Sequence, residues 1–226
     1  MPGAKVPQAA RRKQILAAAY RVAAERGLTG TLIGDVAARA GVSHGLVLFH
    51  FKSKRGLLLA LLDWLLASTT VLHLGPDILE LASPFDQLRA ILRQEMNRLS
   101  SEPRRIRLTF DYWIAGIRDA AIRSKMRTEF ARYRAAFKPV AEAAIAANAA
   151  RFRGVTPDGL AAVSVSFIKG CAVQSMIDLE HFDIAGYIDA AERLIQERPE
   201  RWSRRPAPAR RRASHTVRRV HAPDHA

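Results

Sequence analysis

The chain has 226 residues, 49% of them hydrophobic, and carries a formal net charge of +15. This length and apolar content suffice for a hydrophobic core, which excludes a wholly disordered chain. The one cysteine, Cys171, excludes an intrachain disulfide and a cysteine metal cage, and it favours a reducing compartment, the cytoplasm.

The positive charge is concentrated at the two ends of the sequence. Residues 1–56 carry ten Lys and Arg against two Asp and Glu, and residues 199–226 carry eight against two, whereas residues 57–198 are almost neutral. This distribution predicts that the ends meet a polyanion. We expect no contact with a membrane, because the most apolar run, 57–72, is interrupted by Asp63 and is too short to span a bilayer.

The first helix is predicted to begin near Ala10 and to end at Gly27. Its apolar stripe consists of Ile15, Leu16, Ala19, Val22 and Ala23. Residues 1–9 contain prolines and show no periodicity, so we expect a flexible lead there.

Two short helices separated by a tight turn are predicted next. Apolar residues at positions 33, 36, 37 and 40 have the spacing of one helical face. Gly41 follows directly, where a left-handed backbone suits a residue without Cβ, and Ser43 is placed to cap the next helix. Thr31 is placed to cap the first of these two short helices, which begins near Ile33. The pattern predicts a helix-turn-helix.

The second of these short helices has an outward face with no partner in this unit. Val47 and Phe51 are expected to point inward. The opposite face holds His44, Gly45, Leu48 and Phe49, with Leu46 at its edge.

Cationic residues follow this helix. Lys52, Lys54 and Arg55 surround Ser53, which is placed to cap the next helix. Cationic side chains and free backbone N–H groups would then point the same way, which favours phosphate as the partner.

Residues 31–58 resemble the N-terminal domain of the TetR family of transcriptional repressors. The resemblance rests on Thr31, Asp35-Val36-Ala37, Ala40-Gly41-Val42-Ser43, Gly45, Phe49-His50-Phe51 and Ser53-Lys54. It implies a DNA-binding head whose candidate contacts are Thr31, Ser43, His44, Gly45, Phe49, His50 and Lys54. The outward face of the second short helix adds Leu46 and Leu48 as candidates. His44 and Gly45 are expected at base edges, where the start of a recognition helix meets DNA, and the polar residues around them at phosphate or sugar.

Two positions depart from the family pattern. The family usually has a tyrosine at the position of Leu48 and often a small or hydroxylated residue at that of Leu46. We expect both leucines to contact thymine methyl groups, the alternative being that they pack inward. His50 also has a second interpretation, as a structural histidine.

The rest of the chain is predicted to be helical as far as residue 198, and no alternation typical of strands competes. The predicted helices cover 54–73, 84–99, 103–117, 119–150, 157–179 and 184–198. The helix from Pro103 carries an apolar face of Ile106, Phe110, Trp113, Ile114 and Ile117. The fold class is therefore all-α, with a three-helix DNA-binding head (10–56), a larger helical effector-binding and dimerisation body (57–198), and a basic tail (199–226) that we expect to be disordered.

The body is similar to the C-terminal domains of BetI-like TetR regulators. The similarity rests on Phe110-Asp111-Tyr112-Trp113, on Tyr133 and on the segment 169–180. It implies a homodimer formed by the last two helices as a four-helix bundle, and it does not extend to choline sensing.

Aromatic and sulphur side chains at helical spacing in the body are candidates for an effector pocket. They are Met96, Phe110, Trp113, Met126, Tyr133 and Phe137, with Gln174 as a polar group. The alternative is that the stripe is plain core.

No catalytic cluster, phosphate-binding loop or metal-ligand set is evident, so we expect neither an enzyme nor a cofactor or metal. The sequence favours a cytoplasmic homodimeric repressor that binds a palindromic operator in double-stranded DNA and is released by a small apolar or amphipathic effector. Two alternatives stay open: a nonspecific nucleoid-type DNA-binding protein, and a helical enzyme or carrier.

Overall fold

The computed structural model describes residues 7–67, 76–178 and 180–195. Every regular element in these ranges is a helix, which confirms the all-α prediction. The helices are α1 (Gln8–Gly30), α2 (Ile33–Ala40), α3 (His44–Phe51), α4 (Lys54–Ala67), α5 (Pro76–Leu79), α6 (Pro84–Ser101), α7 (Pro103–Arg118), α8 (Ala120–Ala147), α9 (Pro157–Ile177) and α10 (Ile184–Ile195). The tail, residues 1–6 of the lead and the predicted ends of α4 and α10 lie outside the described residues.

The helix-turn-helix is formed as the local signals predict. The backbone of Gly41 is left-handed, with φ 62°, and its N–H closes the end of α2. The Ser43 hydroxyl accepts a hydrogen bond from the Leu46 N–H at 3.2 Å, so Ser43 caps α3. α1 is interrupted at Gly27, where φ is 71°, and the chain makes one further turn before α2.

Helices α1 to α4 share one hydrophobic core. Ile15, Val36, Val47 and Leu57 are completely buried in it. The helices of the body contribute as well, because Leu108, Tyr112 and Met126 from α7 and α8 pack into the same core. A second core, which holds Met96 and Phe137, joins α6, α8, α9 and α10.

The buried side of α7 differs from its predicted apolar face. Leu108 and Tyr112 are buried, whereas Ile114 and Ile117 are 67% and 71% exposed. Ile114 and Ile117, two of the five residues on the predicted apolar face, therefore lie outside the buried side of α7. α7 packs against α1 and α8, and Leu108 and Tyr112, which the apolar spacing does not include, are buried in addition to Ile106.

Polar contacts join the start of α4 to the body. The Tyr112 hydroxyl donates to the Leu58 carbonyl oxygen at 2.7 Å. The Arg55 guanidinium pairs with Asp119, which also caps α8 by accepting from two backbone N–H groups. Because α4 directly follows α3, these contacts would transmit a movement of the body to the C-terminal end of α3.

α9 is long and apolar enough to cross a membrane, by length and composition alone. Its residues Ala161, Ile168 and Cys171 are completely buried against other helices of the body. In this structure α9 is a core helix.

Candidate DNA interface and ligand groove

The exposed side of α3 begins at its N-terminus. Ser43, His44 and Gly45 are all exposed, and Phe49 is 59% exposed one turn later. A recognition helix that lies in the major groove meets base edges with residues of its N-terminal part. The structure therefore brings four of the predicted DNA contacts onto one accessible surface.

Leu46 and Leu48 lie at the margin of this surface. Both are half-buried, and neither packs into the head core among the described residues.

His50 closes the C-terminal end of the same helix. Its ring contacts the rings of Phe49 and Phe51, with centroids 5.4 Å and 6.1 Å away. Arg12 of α1 donates to the His50 carbonyl oxygen at 3.4 Å and lies over the Phe51 ring. No described residue makes a hydrogen bond to the ring nitrogens of His50, so these nitrogens are available to a phosphate.

The junction between α3 and α4 is tight. Lys52 has a φ of 67°, unusual for a residue with a side chain, and its N–H closes α3 on the Leu48 carbonyl. A Cβ at Gly56 would lie 2.0 Å from the Phe51 carbonyl oxygen, so only glycine fits there. Ser53 accepts from the Gly56 N–H at 3.0 Å and caps α4 as predicted. Gly56 directly follows the cationic run but is not among the residues predicted from the sequence.

Lys54 and Thr31 are less accessible than His44, Gly45 and Phe49 of α3. The Lys54 ammonium donates to the Thr29 carbonyl oxygen at 2.7 Å, which leaves two of its N–H donors for other partners. Thr31 is completely buried, and its hydroxyl donates to the Gly27 carbonyl oxygen at 2.8 Å. The prediction that Thr31 caps α2 is wrong, because the hydroxyl closes the interrupted end of α1 and Leu32 precedes α2 without a side-chain cap.

A groove of about 450 Å³ opens between α7, α8 and α9. Three of the predicted ligand contacts line it: Phe110, Trp113 and Gln174. Sequence reasoning missed its other lining residues, which are Phe130, Val165, Ser166, Lys169, Gly170 and Val173.

The other predicted ligand contacts do not line this groove. Tyr133 lies behind Lys169, whose ammonium is 4.4 Å from the centroid of its ring. Met96 and Phe137 are buried in the core of the body, and Met126 lies in the head core. α8 extends past both cores, so positions at one helical spacing along it reach different surroundings.

Charged side chains lie beneath the groove. Glu95, completely buried, pairs with Arg98 at 2.6 Å, and Arg98 also donates to the Tyr133 hydroxyl at 3.1 Å. Burial and the neighbouring Glu95 raise the pKa of Tyr133 to about 12, so its hydroxyl is neutral at physiological pH. Lys169 is the cation closest to the groove itself.

The described residues contain no group of three or more His, Cys, Asp and Glu side chains able to hold a metal ion. Cys171 is completely buried, and burial raises the pKa of its thiol. A buried thiol with a raised pKa is a poor nucleophile.

Comparison with known families decides the relationship. Residues 15–61 match the family described as bacterial regulatory proteins, tetR family, and residues 84–198 match the C-terminal domain of BetI-type transcriptional repressors. The chain belongs to the TetR family. Both resemblances seen in the sequence are confirmed, and members of the matched families are regulators rather than enzymes.

Individual relatives of this TetR-family chain share only part of its sequence or have low sequence identity to it. The regulator TtgR of Pseudomonas putida is 34% identical over 97 residues, which are 43% of this chain and 46% of TtgR, so the match spans less than half of that relative. FadR of Bacillus subtilis, crystallised with stearoyl-CoA, has the same fold, with a TM-score of 0.63 and 18% identity over 81% of this chain and 96% of FadR. A choline-bound regulator from Saccharomonospora viridis has a TM-score of 0.62 and 19% identity over 83% of this chain and 96% of its own.

Proposed function

We propose that this TetR-family chain is a sequence-specific transcriptional repressor of the cytoplasm. It binds a palindromic operator as a homodimer, and a small apolar or amphipathic effector releases it. The observation that carries the proposal is the accessible N-terminal face of α3 in a head of the tetR type.

Gly45 supports direct contact with DNA. Glycine near the start of a helix weakens that helix, and nothing within the chain requires glycine here, because a Cβ at this position would meet no atom within 4 Å. Close approach of a base edge or a phosphate supplies the missing reason. His44 beside it is the candidate for base recognition, and Leu46 and Leu48 are candidates for contact with thymine methyl groups.

The cationic surroundings of α3 support binding to phosphate. Lys52 and Arg55 are exposed at the start of α4, and Arg12 lies at the other side of α3. His50 and the remaining donors of Lys54 are the candidate phosphate contacts in this surface. Thr31 can join them only if the end of α1 opens.

The homodimer is supported by apolar residues that the single chain leaves exposed. Val163 and Ile177 of α9 are 48% and 81% exposed, and Leu194 of α10 is 68% exposed. Burial of such side chains against a second copy is favourable, and a two-fold axis through this surface would pair two heads with two half-sites. Ile177→Glu should convert the dimer to a monomer in light scattering, whereas Ile117→Glu on α7 should not.

The groove supports an effector site. Its volume and its aromatic lining are those of a small-molecule site, and both TetR-fold structures named above hold a ligand. An effector can release DNA only if it binds one arrangement of head and body better than the other. The contacts of Tyr112 with α4 and of Asp119 with Arg55 provide the connection.

Selection of bound sequences from a random duplex pool tests the proposal. The full chain at physiological salt should enrich one palindrome whose half-sites lie about one helical turn or slightly more apart. A pool that is retained without enrichment would contradict sequence recognition and would favour the nonspecific nucleoid-type binder. Enrichment of an unpaired half-site would contradict the dimeric arrangement alone.

A further inference from the structure

Lys169 is a lysine in the middle of the apolar helix α9. It is half-buried, it lines the groove, and its ammonium lies 4.4 Å from the ring centroid of Tyr133 and 5.8 Å from that of Trp113. No described residue forms an ion pair or a hydrogen bond with it. Aromatic faces stabilise a cation in part, but they do not satisfy its three N–H donors.

The charged side chains around Lys169 do not compensate its positive charge. Glu95 pairs with Arg98 at 2.6 Å, and Glu129 pairs with Arg132 at 2.9 Å. These four side chains cancel as two ion pairs, so the cluster with Lys169 carries one net positive charge. A buried or half-buried charge without a partner is unfavourable unless a counter-ion reaches it.

The groove leads from this charge through an apolar space. The residues that line this space are Phe110 and Trp113 of α7, Phe130 of α8, and Val165 and Val173 of α9. The rings of Trp113 and Phe130 are 4.8 Å apart, so aromatic surface is nearly continuous beside the lysine. The indole N–H of Trp113 is buried and has no acceptor among the described residues.

We propose that the effector of this groove is an amphipathic carboxylate. Its apolar part packs between the rings, and its carboxylate pairs with the Lys169 ammonium. This inference deepens the proposed function and rests on it. A quaternary ammonium ligand does not fit, because the cation of Lys169 already occupies the aromatic faces and repels a second positive charge.

The protonation of Lys169 supports this assignment. Burial lowers the pKa of Lys169 to about 8, and nearby Arg98 lowers it while Glu95 and Glu129 oppose the shift. The groups that face it are therefore Glu95 and Arg98 on α6, and Glu129 and the neutral Tyr133 on α8. At physiological pH the ammonium form predominates, and a bound carboxylate would hold that proton more tightly.

Three ligands that share a naphthylmethyl group and carry an anionic, a neutral or a cationic polar end test the inference. They are 1-naphthylacetate, 1-naphthylacetamide and (1-naphthylmethyl)trimethylammonium, titrated into the full chain by calorimetry. The acetate should bind about ten-fold more tightly than the amide, the effect of one charge-assisted hydrogen bond, and the ammonium compound should bind least. Acetate binding should weaken as the pH rises through about 8, and amide binding should not.

Lys169→Met removes the charge and keeps the length of the side chain. It should abolish both the preference for the acetate and its pH dependence. Lys138→Met is the matched control, because Lys138 lies on α8, is 42% exposed and pairs with Asp158 away from the groove. The control should bind the three ligands as the unaltered chain does.

Each other outcome overturns a definite part of the account. Equal binding of acetate and amide, or preference for the ammonium compound, overturns the carboxylate assignment and leaves an effector groove in place. Binding of none of the three at about 1 mM overturns the assignment as well. The proposed DNA function fails separately, if the duplex selection enriches no sequence.

Discussion

Replacement of Gly45 by alanine should stabilise the chain and weaken its binding to DNA. A Cβ at this position meets no atom of the protein within 4 Å, so the substitution creates no clash in the free chain. Alanine in a helix is more favourable than glycine by about 0.5–1 kcal/mol. For a chain of this size that gain corresponds to an increase of roughly 1–4 °C in the midpoint of thermal unfolding.

The effect on DNA binding should have the opposite sign. If the backbone of Gly45 approaches a base edge or a phosphate closely, the new methyl group displaces it, and the loss should be about 1–3 kcal/mol, comparable to one mismatched base pair. Urea denaturation measures the first effect, and titration of the selected duplex measures the second.

Gly34→Ala is the matched control for this prediction. Gly34 is the second residue of the eight-residue helix α2, as Gly45 is of the eight-residue helix α3, and a Cβ there also meets nothing within 4 Å. It should give the same gain in stability with little loss in DNA affinity. A Gly45→Ala variant that binds the selected duplex as tightly as the unaltered chain would refute close approach at α3.

Three further predictions follow from the other contacts. His44→Ala should change which bases are preferred, whereas Lys54→Ala should weaken binding to all sequences alike and lower the salt slope by about one. Titrations of single-base duplex variants at several salt concentrations would check both effects. The reverse pattern would contradict the assigned roles. Tyr112→Phe removes a 2.7 Å hydrogen bond from a completely buried side chain and should lower the free energy of unfolding by about 1 kcal/mol in urea. Tyr187→Phe, at a half-buried hydroxyl bonded at 2.9 Å, should lower it less, and an equal or larger effect there would count against the importance of the contact with α4. The pKa of Lys169 is lowered to about 8 in the folded chain, so above that pH the unfolded chain binds more protons than the folded chain. The free energy of unfolding of the unaltered chain, minus that of Lys169→Met, should therefore rise with pH from about 8 to about 10.5. Urea midpoints measured across that range for both chains would test the sign, and a flat or falling difference would contradict it.

The head could be predicted from its sequence because its signals are local. Gly41 and Ser43 determine the turn and the cap of α3 through their own backbone and hydroxyl, and the structure contains both features. Thr31 shows the limit of such reasoning. Its position suggests a cap for α2, but the interruption at Gly27 offers its hydroxyl a carbonyl in the opposite direction.

The body is less predictable because each of its helices packs against several others, and the sequence does not show which side meets which neighbour. The apolar spacing of α7 marks Ile114 and Ile117, yet packing against α1 and α8 leaves both exposed. Likewise, Met126 and Phe137 lie on the same helix but in different cores. The available signal for the groove was Lys169, a single lysine inside an apolar helix, which only the assembled helices place beside aromatic rings.

The most direct test of sequence-specific recognition is the ratio of two dissociation constants. They are those of the full chain for its selected palindrome and for a duplex of the same composition in scrambled order, both at about 150 mM salt. A sequence-specific repressor should bind the palindrome at least about 10³-fold more tightly. A ratio near one, with binding to both duplexes lost steeply as salt rises, would show that the charge of the head and tail binds DNA without reading it.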